Sequence, residues 1–377
     1  MIQSIAEIIQ NGDGNGNYMQ VRFRLPSGLE VIGLPTKNFY GGYWDLGPTW
    51  NYAVLTDSPF LMDTGRYGQG NKLVEMLEFS GVSLTDLEFI LISHGHEDHD
   101  GGLSDILKLC SAKVRAHSVY GQLVKKYPEK APQEYKENFP AKCWQCSMPE
   151  AFYKEHCLDY HQALQQLEID TIGDGENEIM PGVTTYHMPG HTPDSLAVMI
   201  NHEVIIVGDI LLPEISPIPT CVAQFNDVSN ILGPKYSSPE AIFGLCRYIS
   251  SLKKLKELSG QYPDLIVLPG HRLYYKEHWN HIDLSNRVNE LIEHHVQRCG
   301  SIIDILKECP MTASQIASKH FAQKLLKGVG RHMAKNEINS HCELLISSGD
   351  VAVTDKEIFH LTGKNNFEAF IDSIPVI

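Results

Sequence analysis

The chain has 377 residues, 42% of them hydrophobic, and a formal net charge of -15 at pH 7. That length exceeds one typical domain and suits a large domain with a small appendage, with apolar material enough for a substantial core. The acidic balance argues against a chain whose main task is to wrap nucleic acid or lie on an anionic membrane surface.

The opening stretch MIQSIAEIIQNGDG lacks the basic segment and small-residue cleavage site of a secretory signal, and no apolar run approaches the length of a membrane span. A cytoplasmic protein with no membrane partner is expected. Nine cysteines, an odd number without an export signal, read as reduced thiols or ligands rather than as a disulfide framework.

From Gly28 to about His281, short strands alternate with turns and helices. EVIGLP (30–35) predicts a strand, and NYAVLTDSPFLMDTG (51–65) a hairpin turning at Ser58-Pro59. LVEMLEFSG (73–81) has helical spacing and a glycine stop; FILIS (89–93) is a short buried strand; Leu103, Ile106, Leu107 and Cys110 mark one helical face. Further strands are predicted at VTTYHM (183–188), at SLAVMI and EVIIVG joined over Asn201-His202, and at DLIVLPG (264–270). Residues from about 120 to 170 break this rhythm and read as a helical, cysteine-containing insertion that covers something. There Cys143, Cys146, Cys157 and His161 leave three readings open: ordinary thiols, a structural metal site, or a redox pair.

After about Leu284 the pattern turns helical. Val288, Leu291, Ile292, His295 and Val296 mark one helix face, Thr312-Ala-Ser-Gln315 is a capping-box pattern, and VAVTDKEIFHLTG reads as a ribbon turning near Asp355-Lys356. Helices closed by such a ribbon predict a winged helix-turn-helix over 284–377, appended to a domain over 1–283.

The chemistry is concentrated in SHGHEDHDGG (93–102), directly behind the strand FILI. Imidazole and carboxylate are the donors that divalent metals such as zinc select, and a loop after a strand can turn several of them to one point. His94, His96, Asp98 and His99 stand there; His191, Asp209 and His271 follow at later strand ends, each directly behind a glycine that lets backbone pass close to the cluster. Seven potential ligands suffice for two metal ions.

In order, HGHEDHDGG, PGHTPDS, GDILL and LPGH, with NYAVL and FLMDTG upstream, resemble the motifs of the metallo-β-lactamase superfamily over roughly residues 28–275. The resemblance implies an αββα sandwich with metals at one edge between the sheets. It implies His94, His96 and His191 on the first metal, Asp98, His99 and His271 on the second, Asp209 bridging, and Asp63 supporting the ligands from outside. His96 stands where the oxygen-reducing diiron branch carries glutamate, which favours a hydrolase. Two divalent ions lower the pKa of a shared water from about 16 to about 7, making hydroxide available for attack. Asp98 is the candidate proton shuttle. Zinc is the default metal, and the same donors accept iron or manganese.

The tail resembles that of the glyoxalase II-like, β-lactamase-like-protein-2 group, which implies thioester, ester or lactone hydrolysis of a small molecule. One branch of that group cleaves single-stranded RNA, and this is the alternative expectation. Lys319, Lys324, Lys327, Arg331 and Lys335 lie in a stretch free of acidic residues that could meet phosphate or simply face solvent. A ligand-sensing module with a vestigial metal site is disfavoured because no ligand position is lost. Arg272 stands where many relatives have glycine. A homodimer is compatible with the sequence.

Overall fold

The computed structural model describes residues 2–39, 44–124 and 158–377. Its amino-terminal half builds an eight-stranded sheet in chain order: β1 (Ala6–Gln10), β2 (Gln20–Arg24), β3 (Glu30–Thr36), β4 (Thr49–Leu55), β5 (Phe60–Met62), β6 (Phe89–Leu91), β7 (Lys113–His117) and β8 (Ile169–Ile172). Neighbours are antiparallel as far as β5 and parallel beyond it. The second sheet holds β9 (Glu176–Met180), β10 (Val183–His187), β11 (Leu196–Ile200), β12 (Val204–Gly208) and β13 (Ile266–Pro269); only the β12–β13 pair is parallel.

Alternation along the strands decides which residues fill which layer. Trp50, Tyr52 and Val54 of β4 meet Leu196 and Val198 of β11 and Val204 and Ile206 of β12 in the core between the sheets. Ala53 of β4 points the other way, onto helices α1 (Gly70–Phe79), α2 (Glu97–Asp100), α3 (Leu103–Ile106), α4 (Ser118–Leu123) and α5 (Leu158–Leu164), whose Leu73, Leu77, Leu103, Ile106 and Leu123 share its core. On the far side, Ile205 and Val207 of β12 pack on helix α6 (Leu245–Gln261). The result is an α/β/β/α sandwich with two mixed sheets. The β11–β12 hairpin turns on Asn201 and His202, both at positive φ (50° and 57°) as a two-residue primed turn requires.

Beyond β13 comes a short ribbon of β14 (Tyr274–Tyr275) and β15 (His278–Trp279). The carboxy-terminal part then contains α7 (Leu284–Leu306), α8 (Ala313–His320), α9 (Gly330–Ser347) and α10 (Phe367–Ser373). Its small sheet consists of β16 (Met311–Thr312), β17 (Val351–Val353) and β18 (Ile358–Leu361), with β18 in the middle. Thr312 and Gln315 form the reciprocal cap that the sequence predicts at the start of α8. One continuous apolar core joins this part to the sandwich, because Leu252 and Leu255 of α6 belong to the same cluster as Val288, Leu291, Ile338 and Leu345.

Several elements differ from the sequence expectation. Strands β1 and β2 extend the first sheet over residues with no assignment, and β16 adds a third strand to the predicted ribbon. The helix expected through Cys110 ends at Ile106, and Leu107 and Cys110 follow it in a partly buried turn. The expected insertion is bordered by α4 and α5, while its cysteine positions 143, 146 and 157 lie outside the described residues. No helix among the described residues is long and apolar enough to cross a membrane.

Candidate metal centre

Five of the seven expected side chains follow the end of a buried strand, and Asp98 and His99 stand on the short helix after β6. Strand β6 delivers Ser93 and His94; the chain then turns at His96 into α2, whose first residues carry Asp98 and His99. The paired glycines that close the motif are sterically required: a Cβ on Gly101 would stand 2.1 Å from Tyr67 N, and one on Gly102 2.2 Å from Thr64 O. His191 follows β10, Asp209 follows β12 at once, and His271 follows β13. A Cβ on Gly270 would lie 2.3 Å from Asp209 Oδ1, so a side chain there would displace the carboxylate. Gly190 has a different reason for its identity, at φ 132° and with a would-be Cβ 2.4 Å from Tyr248 Cα in α6.

The side chains converge as two groups. Ligand atoms of His94, His96, His191 and Asp209 all lie within 4.8 Å of one another, as do those of Asp98, His99 and His271. Asp209 touches both, with Oδ1 3.3 Å from His99 Nε2 and Oδ2 3.4 Å from His271 Nε2 and 3.8 Å from His191 Nε2. Asp209 Oδ1 is buried without a hydrogen-bond partner among the described residues.

The outer nitrogens of four imidazoles determine what the inner ones can do. His191 Nδ1 donates to Ile218 O (3.0 Å), His271 Nδ1 to Pro48 O (3.0 Å), and His99 Nδ1 to Asp63 Oδ2 (2.8 Å). Ser93 Oγ donates to Asp63 Oδ2 (2.7 Å), so it accepts from His94 Nδ1 at 3.0 Å. Each ring therefore has its outer N–H anchored, and in its neutral form presents the Nε2 lone pair inward. Those lone pairs face one another, with His99 Nε2 3.3 Å from His271 Nε2, while His94 Nε2 and His191 Nε2 lie 3.1 Å and 3.2 Å from His96 Nδ1. Imidazole nitrogens and carboxylates crowded together in this way are a ligand set for cations, and the residues fit divalent metals.

Ionisation follows the same division. Burial, reinforced by neighbouring imidazoles, holds His94 well below the usual imidazole pKa and brings His191 to about 4, so both are neutral donors. In the second group burial also opposes charge, but the carboxylates outweigh it. Asp209, Asp98 and Asp63 push His99 well above its ordinary value, and Asp209 and Asp98 raise His271 to about 9. Conversely, burial works to raise Asp98, yet His99 and His271 hold it well below the carboxylate range. Positive charge is wanted there, whether from protons or from metal.

Asp63 stands behind the cluster rather than in it. Besides binding His99 and Ser93 Oγ, it accepts the Ser93 backbone N–H at 2.7 Å, and it sits at φ 61°, a left-handed conformation that Asp tolerates. Three supporting residues were not anticipated. Asn38 donates to Asp98 Oδ2 at 2.6 Å, Thr49 reaches the same oxygen at 3.4 Å, and Asp194 accepts the Gly95 N–H at 2.8 Å between two ligand histidines. Asn38 and Thr49 carry no sequence signal, whereas Asp194 lies inside the PGHTPDS stretch.

Not every acidic side chain of the opening motif faces the centre. Glu97 accepts from Tyr67 N (2.9 Å) and pairs with Arg66 (3.5 Å). Asp100 accepts from Tyr120 OH (2.8 Å), and burial keeps its carboxyl well above the ordinary pKa. Arg272, beside His271, takes φ 58°, the backbone region where glycine is at ease; its guanidinium holds Asp45 O and lies 4.6 Å from the Tyr275 ring centroid.

A cavity of about 830 Å³ opens over the centre, with His96, Asp98, His191 and Asp209 on one side and residues of α7 and α9 on the other.

A family model described as the metallo-β-lactamase superfamily matches residues 44–271, more than half of the chain. The chain belongs to the metallo-β-lactamase superfamily, and is in that sense a metal-dependent hydrolase. It is similar to an N-acyl homoserine lactonase from Bacillus sp., 25% identical over 235 residues, which are 56% of this chain and 76% of the lactonase. A metallo-β-lactamase family protein from Thermus thermophilus shares its fold with a TM-score of 0.62 at 20% identity, over 88% of this chain and 98% of that one. A β-lactamase domain protein from Burkholderia ambifaria does so with a TM-score of 0.62 at 18% identity, over 90% and 93%.

Proposed function

We propose that the protein is a dinuclear metallohydrolase of the glyoxalase II-like kind that cleaves a small-molecule ester, lactone or thioester. The observation that carries the reading is the convergence of five histidines and two aspartates in two adjoining groups, with His96, Asp98, His191 and Asp209 lining a large cavity. His94, His96 and His191 would hold one ion, Asp98, His99 and His271 the other, with Asp209 between them. Zinc is the default by donor type. Bound there, divalent ions supply acidified water and polarisation of the bond under attack.

The polypeptide's part is to hold the donors and to move protons. Asp98 lines the cavity; its Oδ2 accepts from Asn38 and Thr49 and lies 3.2 Å from His271 Nε2, which orients the carboxylate for proton transfer. The carboxy-terminal helices and three-stranded sheet, in the order helix, strand, two helices, two strands and a last short helix, support the winged-helix reading of 284–377 and the catalytic reading of 1–283. Here that unit contributes a wall of the cavity. The basic stretch offers less to RNA than its composition suggests, since Lys319 is paired with Glu308 and Lys327 lines the cavity. A cytoplasmic location without membrane or nucleic-acid partners accords with this.

The test is metal analysis of purified protein joined to a hydrolysis screen over esters, lactones, thioesters and single-stranded RNA. About two equivalents of zinc and chelator-sensitive turnover of the small molecules are expected. Cleavage confined to RNA would overturn the substrate class.

A further inference from the structure

The cavity has a second polar end. Across from the metal centre, Arg298 of α7 is ion-paired with Glu337 of α9, and both line the cavity although their side chains are only 12% and 2% exposed. Arg298 Nε, also buried, has no hydrogen-bond partner among the described residues. The guanidinium carbon sits 5.2 Å from the centroid of the Phe321 ring. Beside the pair, His294 Nε2 shares a hydrogen bond with Ser216 Oγ (3.0 Å) and lies 4.0 Å from Glu337 Oε1.

One loop connects this end to the metals. His191 Nδ1 is held by Ile218 O, and two residues earlier in the same loop Ser216 meets His294. Arg287 of α7 fastens the start of the loop by donating to Leu212 O and Ile215 O, each at 2.8 Å. The rest of the lining is predominantly apolar surface, with Trp44, Ile215, Leu325 and Met333 among its residues beside polar ones such as Asp45 and Gln224. A cavity polar at both ends and greasy between them fits a molecule built the same way.

The charge at the far end decides the ligand class. Across from the metal centre the lining carries Arg287, Arg298 and Lys327 and as many glutamates, Glu290, Glu293 and Glu337, with Arg287 paired to Glu290 and Arg298 to Glu337, so it has no surplus positive charge for a phosphate or carboxylate. A guanidinium neutralised by its own carboxylate offers a donor and an acceptor side by side, the complement of an uncharged group that has both.

We propose that the Arg298–Glu337 pair, with His294, is a specificity site for a carboxamide-class group on the acyl arm of the substrate, remote from the scissile bond. This rests on the hydrolase reading only in taking the metals as the site that receives the carboxyl end, the fragment common to ester, lactone and thioester products.

Calorimetry on the zinc-loaded protein tests it without turnover. The probes are two homologous series of straight-chain carboxylic acids of increasing methylene count, one ending in methyl and the other in a primary carboxamide. At one matching length the carboxamide acid should bind about 10- to 100-fold more tightly than the methyl acid. The double variant Arg298→Met with Glu337→Met removes both charges together, so neither is stranded in the interior, and should abolish that preference. The matching thioesters should show the same selectivity in kcat/KM. Absence of a carboxamide preference at every length, or its survival in a folded double variant, overturns the proposal. Selective binding without hydrolysis of any ester or thioester would leave it standing and sink the hydrolase reading instead.

Discussion

Buried histidines gather both in the sandwich and in the helical part of this molecule, and only the group at the sandwich edge has the donor set of a metal centre. In the sandwich, four rings spend their outer N–H groups on carbonyls, a hydroxyl and Asp63, and turn bare nitrogens toward Asp98 and Asp209. In the helical part, His341 Nδ1 donates to Glu337 O (2.6 Å), which leaves His341 Nε2 to accept from His295 Nδ1 at 3.0 Å. That chain of hydrogen bonds spends the His341 lone pair, the one on His295 Nε2 has no hydrogen-bond partner among the described residues, and the carboxylate nearby, Glu337, is committed to Arg298. Imidazole density alone therefore does not make a metal site; unspent lone pairs facing carboxylates do.

A third cluster makes the same point from between these extremes. His117, Asp174 and His187 bring donor atoms within 4.8 Å of one another. Yet His117 Nδ1 accepts from Val119 N, so its Nε2 donates to Asp174 Oδ1 (3.0 Å), and the carboxylate also receives Tyr236 OH (2.5 Å) and Lys235 (2.8 Å). His187 gives its Nε2 proton to Pro193 O at 2.9 Å. Asp174 already has its cation in Lys235, and the His117 hydrogen bond is first among the contacts that hold its carboxyl far below the usual range.

The comparison breaks most severely at Asp209, the one carboxylate in contact with both ligand groups. Asp209→Asn keeps the shape but removes the negative charge and replaces one of the two oxygens by an NH2 group, so metal content and hydrolysis should fall together, the latter by on the order of 10³-fold. Elemental analysis and kinetics on the same preparation check this, and full activity would refute the bridging role.

A smaller loss is expected one layer out. Asp63→Asn preserves a residue type that tolerates the left-handed backbone, but it removes the charge that sets the His99 tautomer. Metal affinity should drop about 10- to 100-fold, measured by competition with a chelator. An unchanged affinity would show that the Ser93 and His99 contacts serve the fold alone.

The centre was legible in the sequence to an unusual depth because its chemistry is written in residue types: His, Asp and Gly at strand ends have few other reasons to co-occur. Strand interiors were legible for the same kind of reason, since alternations such as that of β4 face two cores. Strand β1 was not, because at the sheet edge only two of its residues are even half-buried and the run reads equally well as a helix. Strand β16 is two residues long and exists only because β18 pairs with it. Asn38 and the Arg298–Glu337 pair escaped for a third reason. Their meaning comes from contacts made across 60 and 39 positions of chain, and no local pattern encodes such a meeting.

The mildest perturbation is acid, and it acts on the helical cluster. Burial, with each other's charge and that of Arg298, keeps His295 and His341 well below the ordinary imidazole pKa, and brings His294 and His320 to about 4. Above about pH 6.5 these rings are neutral folded or unfolded, and their contribution to stability is fully present. As the pH falls from there toward 4 the unfolded chain takes up protons that the folded one refuses, so stability is lost. The loss is at most about 1.4 kcal/mol per pH unit for each fully buried ring. Protection factors over α7 and α9, taken relative to the intrinsic exchange rate at each pH, should therefore fall across this window in zinc-loaded protein, and replacing His341 by Leu should flatten the response. Protection of α7 and α9 that stayed level from pH 7 to pH 4 would mean that these rings are already charged in the fold. The distinction between a spent and an unspent imidazole cluster would then fail.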